Sequence, residues 1–144
     1  MPSKAVLAEV ERINGWMTGL KQSGLNVRSI DKRKAGQLKW RVQMIHRLAS
    51  YWIEVTAQGK NLNFVAVLLR FNNNNTQEIS RLALRLNNKL VSSHIAVQSG
   101  CFVLKQSTLN EDISERRFYR DLTNFHQVHE YVYGELVKKA RQLK

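Results

Sequence analysis

A chain of 144 residues, 43% hydrophobic and 24% charged, has the size and composition of one globular domain with its own core. No apolar run approaches the roughly 18–20 residues a membrane span requires, and Met1-Pro2-Ser3-Lys4 leads to Glu9 and Glu11 without a signal-peptide core. The single cysteine, Cys101, excludes an internal disulfide and points to a reduced, cytoplasmic protein. The net charge of +12 is concentrated in residues 12–110, which hold fifteen Lys or Arg against three acids, Asp31, Glu54 and Glu78. Such a balance attracts phosphate polymers, anionic surfaces or acidic proteins at low salt; solubility alone is the plainer explanation.

Residues 4–21 read as an amphipathic helix, with Val6, Val10, Ile13, Met17 and Leu20 on one face. Ser3 stands at its N-cap, and Gly19, Ser23 and Gly24 end it. Gly15 lies inside the helix at a cost of about 1 kcal/mol relative to alanine. It either allows close packing or leaves the helix loosely held. Residues 22–37 read as a polar connector, made basic by Arg28, Lys32, Arg33 and Lys34 and pinned by Val27 and Ile30. Ala35-Gly36 is the turn before the first strand.

The stretch 38–71 organises the chain, as three consecutive antiparallel strands. In the first, Leu38, Trp40, Val42 and Met44 face one way, and Lys39, Arg41 and Gln43 the other, a period of two. Arg47 to Ser50 is the turn. In the second, Tyr51, Ile53 and Val55 oppose Trp52, Glu54 and Thr56; both sets carry a large ring, so the core face stays open. Gln58-Gly59-Lys60-Asn61 is a hairpin loop. The third, Leu62 to Phe71, is apolar on both sides, which predicts a central strand or one covered on both faces. If this chain leaves the second face bare, a partner covers it.

Asn75 and Glu78 form a capping box for a helix running to about Leu90. Ile79, Leu82, Ala83, Leu86 and Leu90 make its inner face. Arg81, Arg85 and Lys89, at spacings of four, make a basic outer stripe, either a solvated face or a contact. A hairpin over 91–107 turns at Ser99-Gly100, with Cys101 to Lys105 returning. Cys101 reads as a small buried hydrophobe. Ser114 then caps a long helix reaching Arg141, with Phe118, Leu122, Phe125, His129, Val132 and Leu136 at four-three spacing. Tyr119, Tyr131 and Tyr133 add aromatic surface beside that seam. Residues 138–144 form a basic helix end or frayed tail, and Lys138, Lys139 and Arg141 complement the helix dipole. The resulting class is α+β, a single domain over 1–144: helix, three-stranded antiparallel meander, helix, β-hairpin, long C-terminal helix.

No constellation for catalysis is readable. There is no Gly-rich phosphate loop and no Cys-x-x-Cys. His126 and His129 share a helix face but supply at most two ligands, and His129 falls on the apolar seam, where a satisfied core histidine is the better reading. No enzyme activity, metal or cofactor is expected. Nucleic acid has more in its favour. Arg28, Lys32, Arg33, Lys34, Lys39, Arg41, Arg47, Arg81, Arg85 and Lys89 are placed to track phosphates, and Trp52 or Tyr51, if exposed on the sheet, to stack on a base. No recognition helix or RNA-binding aromatic motif is readable.

Four stretches carry a resemblance. They are the apolar strand Asn63–Phe71 entering the turn Asn72–Asn75, the helix Gln77–Leu90, the hairpin Ser92–Lys105, and the closing helix with Phe118, Leu122 and Phe125. Together the order resembles the type III secretion chaperone-like fold, including the YbjN-like proteins outside secretion systems. The resemblance covers most of the chain and rests on element order. It implies a non-catalytic homodimer whose sheet and first helix offer apolar patches to a client polypeptide. The departure is charge, since secretion chaperones of this kind are usually acidic. The expectation is therefore a protein-binding adaptor or chaperone-like module whose protein partner, an acidic one where charge guides it, meets apolar sheet or helix surface, including Trp52, Tyr119, Tyr131 and Tyr133. Basic residues in 28–47 and 81–89 would steer it. The alternative is RNA or DNA on those same residues.

Overall fold

In the computed structural model the described residues are 4–20, 27–32, 39–58, 61–72, 76–109 and 114–143, with the backbone alone described over 4–10 and 27–32 and at 58 and 109. The elements are α1 (Lys4–Gly19), β1 (Val27–Lys32), β2 (Lys39–Ile45), β3 (Ser50–Gln58), β4 (Asn61–Arg70), α2 (Thr76–Asn87), β5 (Ser93–Gln98), β6 (Cys101–Leu109) and α3 (Glu115–Gln142). The strands form one six-stranded antiparallel sheet in the order β1-β2-β3-β4-β6-β5. Four strands follow one another as a meander, and the excursion through α2 carries the chain past β4, so that β6 returns beside it and β5 becomes the edge.

The first of those four strands corrects the sequence reading. Val27 to Lys32, expected within a polar connector, pair with β2 from Val27↔Met44 to Lys32↔Trp40, with a bulge between Val27 and Ser29. An edge strand is held by backbone hydrogen bonds on one side and needs no apolar alternation, so VRSIDK carries no period-two signal. Arg33, Lys34, the Ser3 cap and Asn75 lie outside the described residues, as do the side chains of Val6, Val10, Arg28 and Lys32.

The helices lie on one face of the sheet. Trp40, Val42 and Met44 of β2, Tyr51, Ile53 and Val55 of β3, and Leu62, Phe64, Ala66 and Leu68 of β4 are buried beneath them. This settles which face of β3 is core: Tyr51 goes inward and Trp52 outward. All six predicted seam residues of α3 are fully buried, from Phe118 to Leu136. The Phe64 ring meets those of Phe118 and Phe125 edge-on, at 5.9 and 5.7 Å. Each such buried side chain contributes about 1.5–3 kcal/mol of transfer free energy. From α1 the buried residues are Ile13, Trp16, Met17 and Leu20, with Trp16 5.3 Å from Phe118. Trp40 reaches the same layer, and its indole N–H donates to Asn14 Oδ1 at 2.6 Å, so its one polar group is paired.

Element ends follow local chemistry. Ser114 is extended, and its hydroxyl accepts from the Arg117 N–H at 3.1 Å as α3 begins. Ser99 and Gly100 both have positive φ, 53° and 73°, the two-residue turn that matches strand twist. β6 runs on to Leu109, beyond the expected Lys105, because it pairs with β4 as far as Asn61↔Leu109. α2 ends at Asn87, whose side-chain amide locks onto β5: Oδ1 accepts from Ile95 N–H at 2.7 Å and Nδ2 donates to Ile95 C=O at 3.0 Å.

Candidate partner-binding surface

No described element of this chain covers the other face of the sheet. It carries Lys39, Arg41, Gln43 and Ile45 from β2, Trp52, Glu54 and Thr56 from β3, and Asn63, Val65 and Val67 from β4. Val103, Lys105 and Ser107 come from β6, as the strand registers dictate. The apolar members are adjacent. Val67 stands opposite Val103 and is 52% exposed, while Val103 is only 2% exposed although it belongs to no part of the helix-side core. Val103 is therefore the floor of a hollow of about 180 Å³ walled by Arg41, Trp52, Val65, Val67 and Cys101. Ile45, 37% exposed, extends the strip towards β2. Cys101 is partly buried at its margin, not fully buried as its small apolar character suggested.

Charged groups border this strip. The Arg41 guanidinium lies 4.5 Å from the Trp52 ring centroid, a cation–π contact that holds the indole in place. Lys39 Nζ is 2.7 Å from Glu54 Oε1, an ion pair between two side chains each 38% exposed and hence of small energetic weight. Lys105 stands beside Val65 in the register. The rim is thus predominantly basic.

The remaining predicted site residues are dispersed. Arg47 lies in the turn between β2 and β3, 3.8 Å from Glu130 of α3. Arg81, Arg85 and Lys89 project from the helical layer, with Arg81 bonded to Glu78 at 2.9 Å. They do not share a surface with Lys39 and Arg41. The three tyrosines also separate. Tyr131 is 45% exposed. The Tyr119 hydroxyl donates to Trp16 C=O at 2.9 Å and lies 2.8 Å from Glu115 Oε1. Burial and that carboxylate push its pKa up to about 12. Tyr133 stacks beside His129, 5.9 Å between centroids.

Sequence reasoning did not bring His46 together with His129, 83 residues away. Pairing of β3 with β4 stops at Ile53↔Ala66, and a bulge at Val67/Leu69 shifts the register of β4 against β6. His129 sits at this opening. Its Nε2 is 3.1 Å from the Val67 carbonyl, its Nδ1 is 3.0 Å from His46 Nε2, and its ring stacks on Tyr51 at 3.6 Å and 4°. A carbonyl only accepts, so His129 carries its proton on Nε2. The Leu48 and Ala49 N–H groups both donate to His46 Nδ1, each at 3.1 Å, so His46 carries its proton on Nε2 and donates to His129. His129 is the satisfied core histidine its place in the seam implied. Burial, above all, lowers its pKa to about 3, and lowers those of His46 and His126. His126 Nδ1 is 2.7 Å from the Tyr51 hydroxyl, whose own pKa burial raises. Among the described residues no group of three His, Cys, Asp or Glu side chains is placed to hold a metal ion. Nor is any described helix long and apolar enough to cross a membrane.

No family model matches the chain, and no curated protein matches it. Solved structures do. YbjN from E. coli, titled a putative transcription regulator, superposes with a TM-score of 0.64 at 11% identity, over 93% of each chain. A chain of the HopA1–SchA chaperone–effector complex gives 0.60 at 14% identity, over 92% of this chain and 99% of that one. A chain of the heterodimeric ExoU–SpcU complex from the type III secretion system of Pseudomonas aeruginosa gives 0.57 at 13%, over 85% and 95%. With the sheet order and the long closing helix, these likenesses establish that the chain has the type III secretion chaperone-like α+β fold, the fold also of YbjN.

Proposed function

We propose that this chain is a non-catalytic protein-binding module of chaperone-like kind, taking an apolar segment of a partner polypeptide on its uncovered sheet face. One observation carries the reading. β4 is apolar on both sides, and only one side is covered by this chain's described elements, so Val65, Val67, Val103 and Trp52 form an apolar strip facing outward. Such strips on a protein surface mark interaction sites. The fold likeness to chains of two complexes, one titled chaperone–effector, supports the same class of role. The basic rim of Arg41, Lys39 and Lys105 favours a partner whose apolar segment is flanked by acids, through faster encounter more than through tighter holding. The homodimer belongs to this proposal, and light scattering on the purified protein tests it.

A second reading is favoured by the Arg41–Trp52 pair, which presents a cation and an aromatic face together, as single-stranded nucleic acid binders do. Purification from native lysate with and without nuclease separates the two. A stoichiometric protein that survives digestion supports the first reading. Bound RNA or DNA whose protein companions disappear on digestion supports the second. For the second, replacing Lys39, Arg41 and Lys105, the cations around Trp52, with Glu also weakens binding across sequences and flattens its salt dependence.

A further inference from the structure

We infer that the His46–His129 pair is an acid-operated latch, which holds the turn between β2 and β3 against α3 when both rings are neutral and releases it when the pair takes up a third ring proton. The inference rests on the donors and acceptors around the pair and is independent of the partner reading above.

The relay runs in one direction. Leu48 and Ala49 N–H donate to His46 Nδ1, His46 Nε2–H donates to His129 Nδ1, and His129 Nε2–H donates to the Val67 carbonyl. Both ends are fixed by groups that cannot exchange roles, two amides and one carbonyl. The pair therefore holds two ring protons, and each place for a third confronts a donor. On His129 Nδ1 the proton faces His46 Nε2–H across 3.0 Å. On His46 Nδ1 it faces two N–H groups at 3.1 Å. The stack of His129 on Tyr51 favours a cation, but by less than the cost of an unpaired charge in a fully buried site.

The remaining charged and titratable groups do not remove the conflict. Glu130 on α3 favours a cation at His46 and His126, and Arg47 on the turn opposes one at His46. The Arg47–Glu130 contact is long, 3.8 Å, with Arg47 largely exposed. His126 is not trapped in the same way, because its Nδ1 faces a hydroxyl that can rotate from donor to acceptor. Tyr133 contributes only its ring.

The break falls at the outer end of the relay. His129 is completely buried and His46 is nearly so, at 6% exposed, but His46 belongs to a turn whose Leu48 is 45% exposed. Rotating His46 outward hydrates its cation and frees the two amides. It also lifts Leu48 off α3, where its Cδ1 stands 3.0 Å from the position a Cβ on Gly134 would take, beside Tyr133 and Val137. Acid thus uncovers an apolar strip on the C-terminal half of α3.

The test is amide exchange of the whole chain at pH 7.5 and pH 5, corrected for the intrinsic pH dependence of exchange, with the ring nitrogens of His46 followed by NMR. At pH 7.5 Nδ1 of His46 is unprotonated. On acidification the protection of Leu48 and Ala49 falls at least tenfold while β4 and β6 stay protected. In His46→Asn, whose side-chain oxygen accepts the same turn amides without titrating, protection is kept at both pH values. The inference is overturned by turn protection that is unchanged at pH 5, whether or not His46 has become a cation, by simultaneous loss of protection throughout the sheet, or by His46→Asn opening as the wild type does. If that variant does not fold, the wild-type comparison of ring titration with turn protection still decides.

Discussion

Two glycines four residues apart in α1 should respond to the same substitution with opposite signs. A Cβ on Gly15 meets nothing within 4 Å, so Gly15→Ala only restricts the unfolded chain and favours helix, a gain of about 0.5–1 kcal/mol. A Cβ on Gly19 would overlap the Tyr119 hydroxyl. That hydroxyl ends a rigid ring and is held by Trp16 C=O and Glu115, so it cannot yield without losing both contacts. Overpacking costs about 1–3 kcal/mol, and the lost hydrogen bond adds about 0.5–1.5. The two variants should therefore differ by roughly 2–5 kcal/mol, a separation of about 1–2 M in urea midpoint at the slopes usual for small domains. Urea unfolding at constant slope is the assay. Tyr119→Phe removes the obstructing oxygen, so in that background Gly19→Ala should cost about 1–3 kcal/mol less, a coupling readable from a double-mutant cycle. Equal effects of the two glycine variants, or no coupling to Tyr119, would refute the account of how α1 meets α3.

Further outcomes follow from the same contacts. The unfolded chain protonates His129 near pH 6.5 and the folded one near 3, so between these values the unfolded state binds more protons and stability falls as pH falls. At pH 5 this amounts to about 2 kcal/mol, and the lowered pKa values of His46 and His126 act in the same direction; urea midpoints at pH 7.5 and 5 that match would contradict the neutral assignment. Ser114→Ala leaves the Arg117 N–H without its cap and should destabilise the protein by about 0.5–2 kcal/mol by thermal or urea unfolding, with Ser114→Asp close to wild type.

The legible parts of the fold were those with a strong period. The closing helix announced all of its buried residues because its four-three spacing has no competing pattern, and His129 was read as core from its place among them. β2 was legible for the same reason. β3 was ambiguous because Tyr51 and Trp52 are both large rings; the choice is made by α3, which supplies His126 to the Tyr51 hydroxyl and His129 to its face. β1 was missed because an edge strand can be built on backbone pairing alone. The basic residues were legible as charge but not as a surface, since Arg81, Arg85 and Lys89 lie in the helical layer, away from Lys39 and Arg41. The two-sided apolarity of β4 and its central place were legible in its composition, but which of its faces the chain leaves uncovered was not, and the His46–His129 relay depends on a bulge and a strand separation with no local sequence signal.

The most direct test of the proposed role is parallel capture from nuclease-treated native lysate with wild type, Val67→Glu, and the triple variant of Arg81, Arg85 and Lys89 to Glu, after circular dichroism shows all three folded. The account predicts a stoichiometric protein that is retained by the wild type and the triple variant and lost from Val67→Glu, because a carboxylate placed on the Val65–Val103 strip must be desolvated for the partner to seat. A protein held equally well by Val67→Glu would contradict the claim that this sheet face is the binding surface.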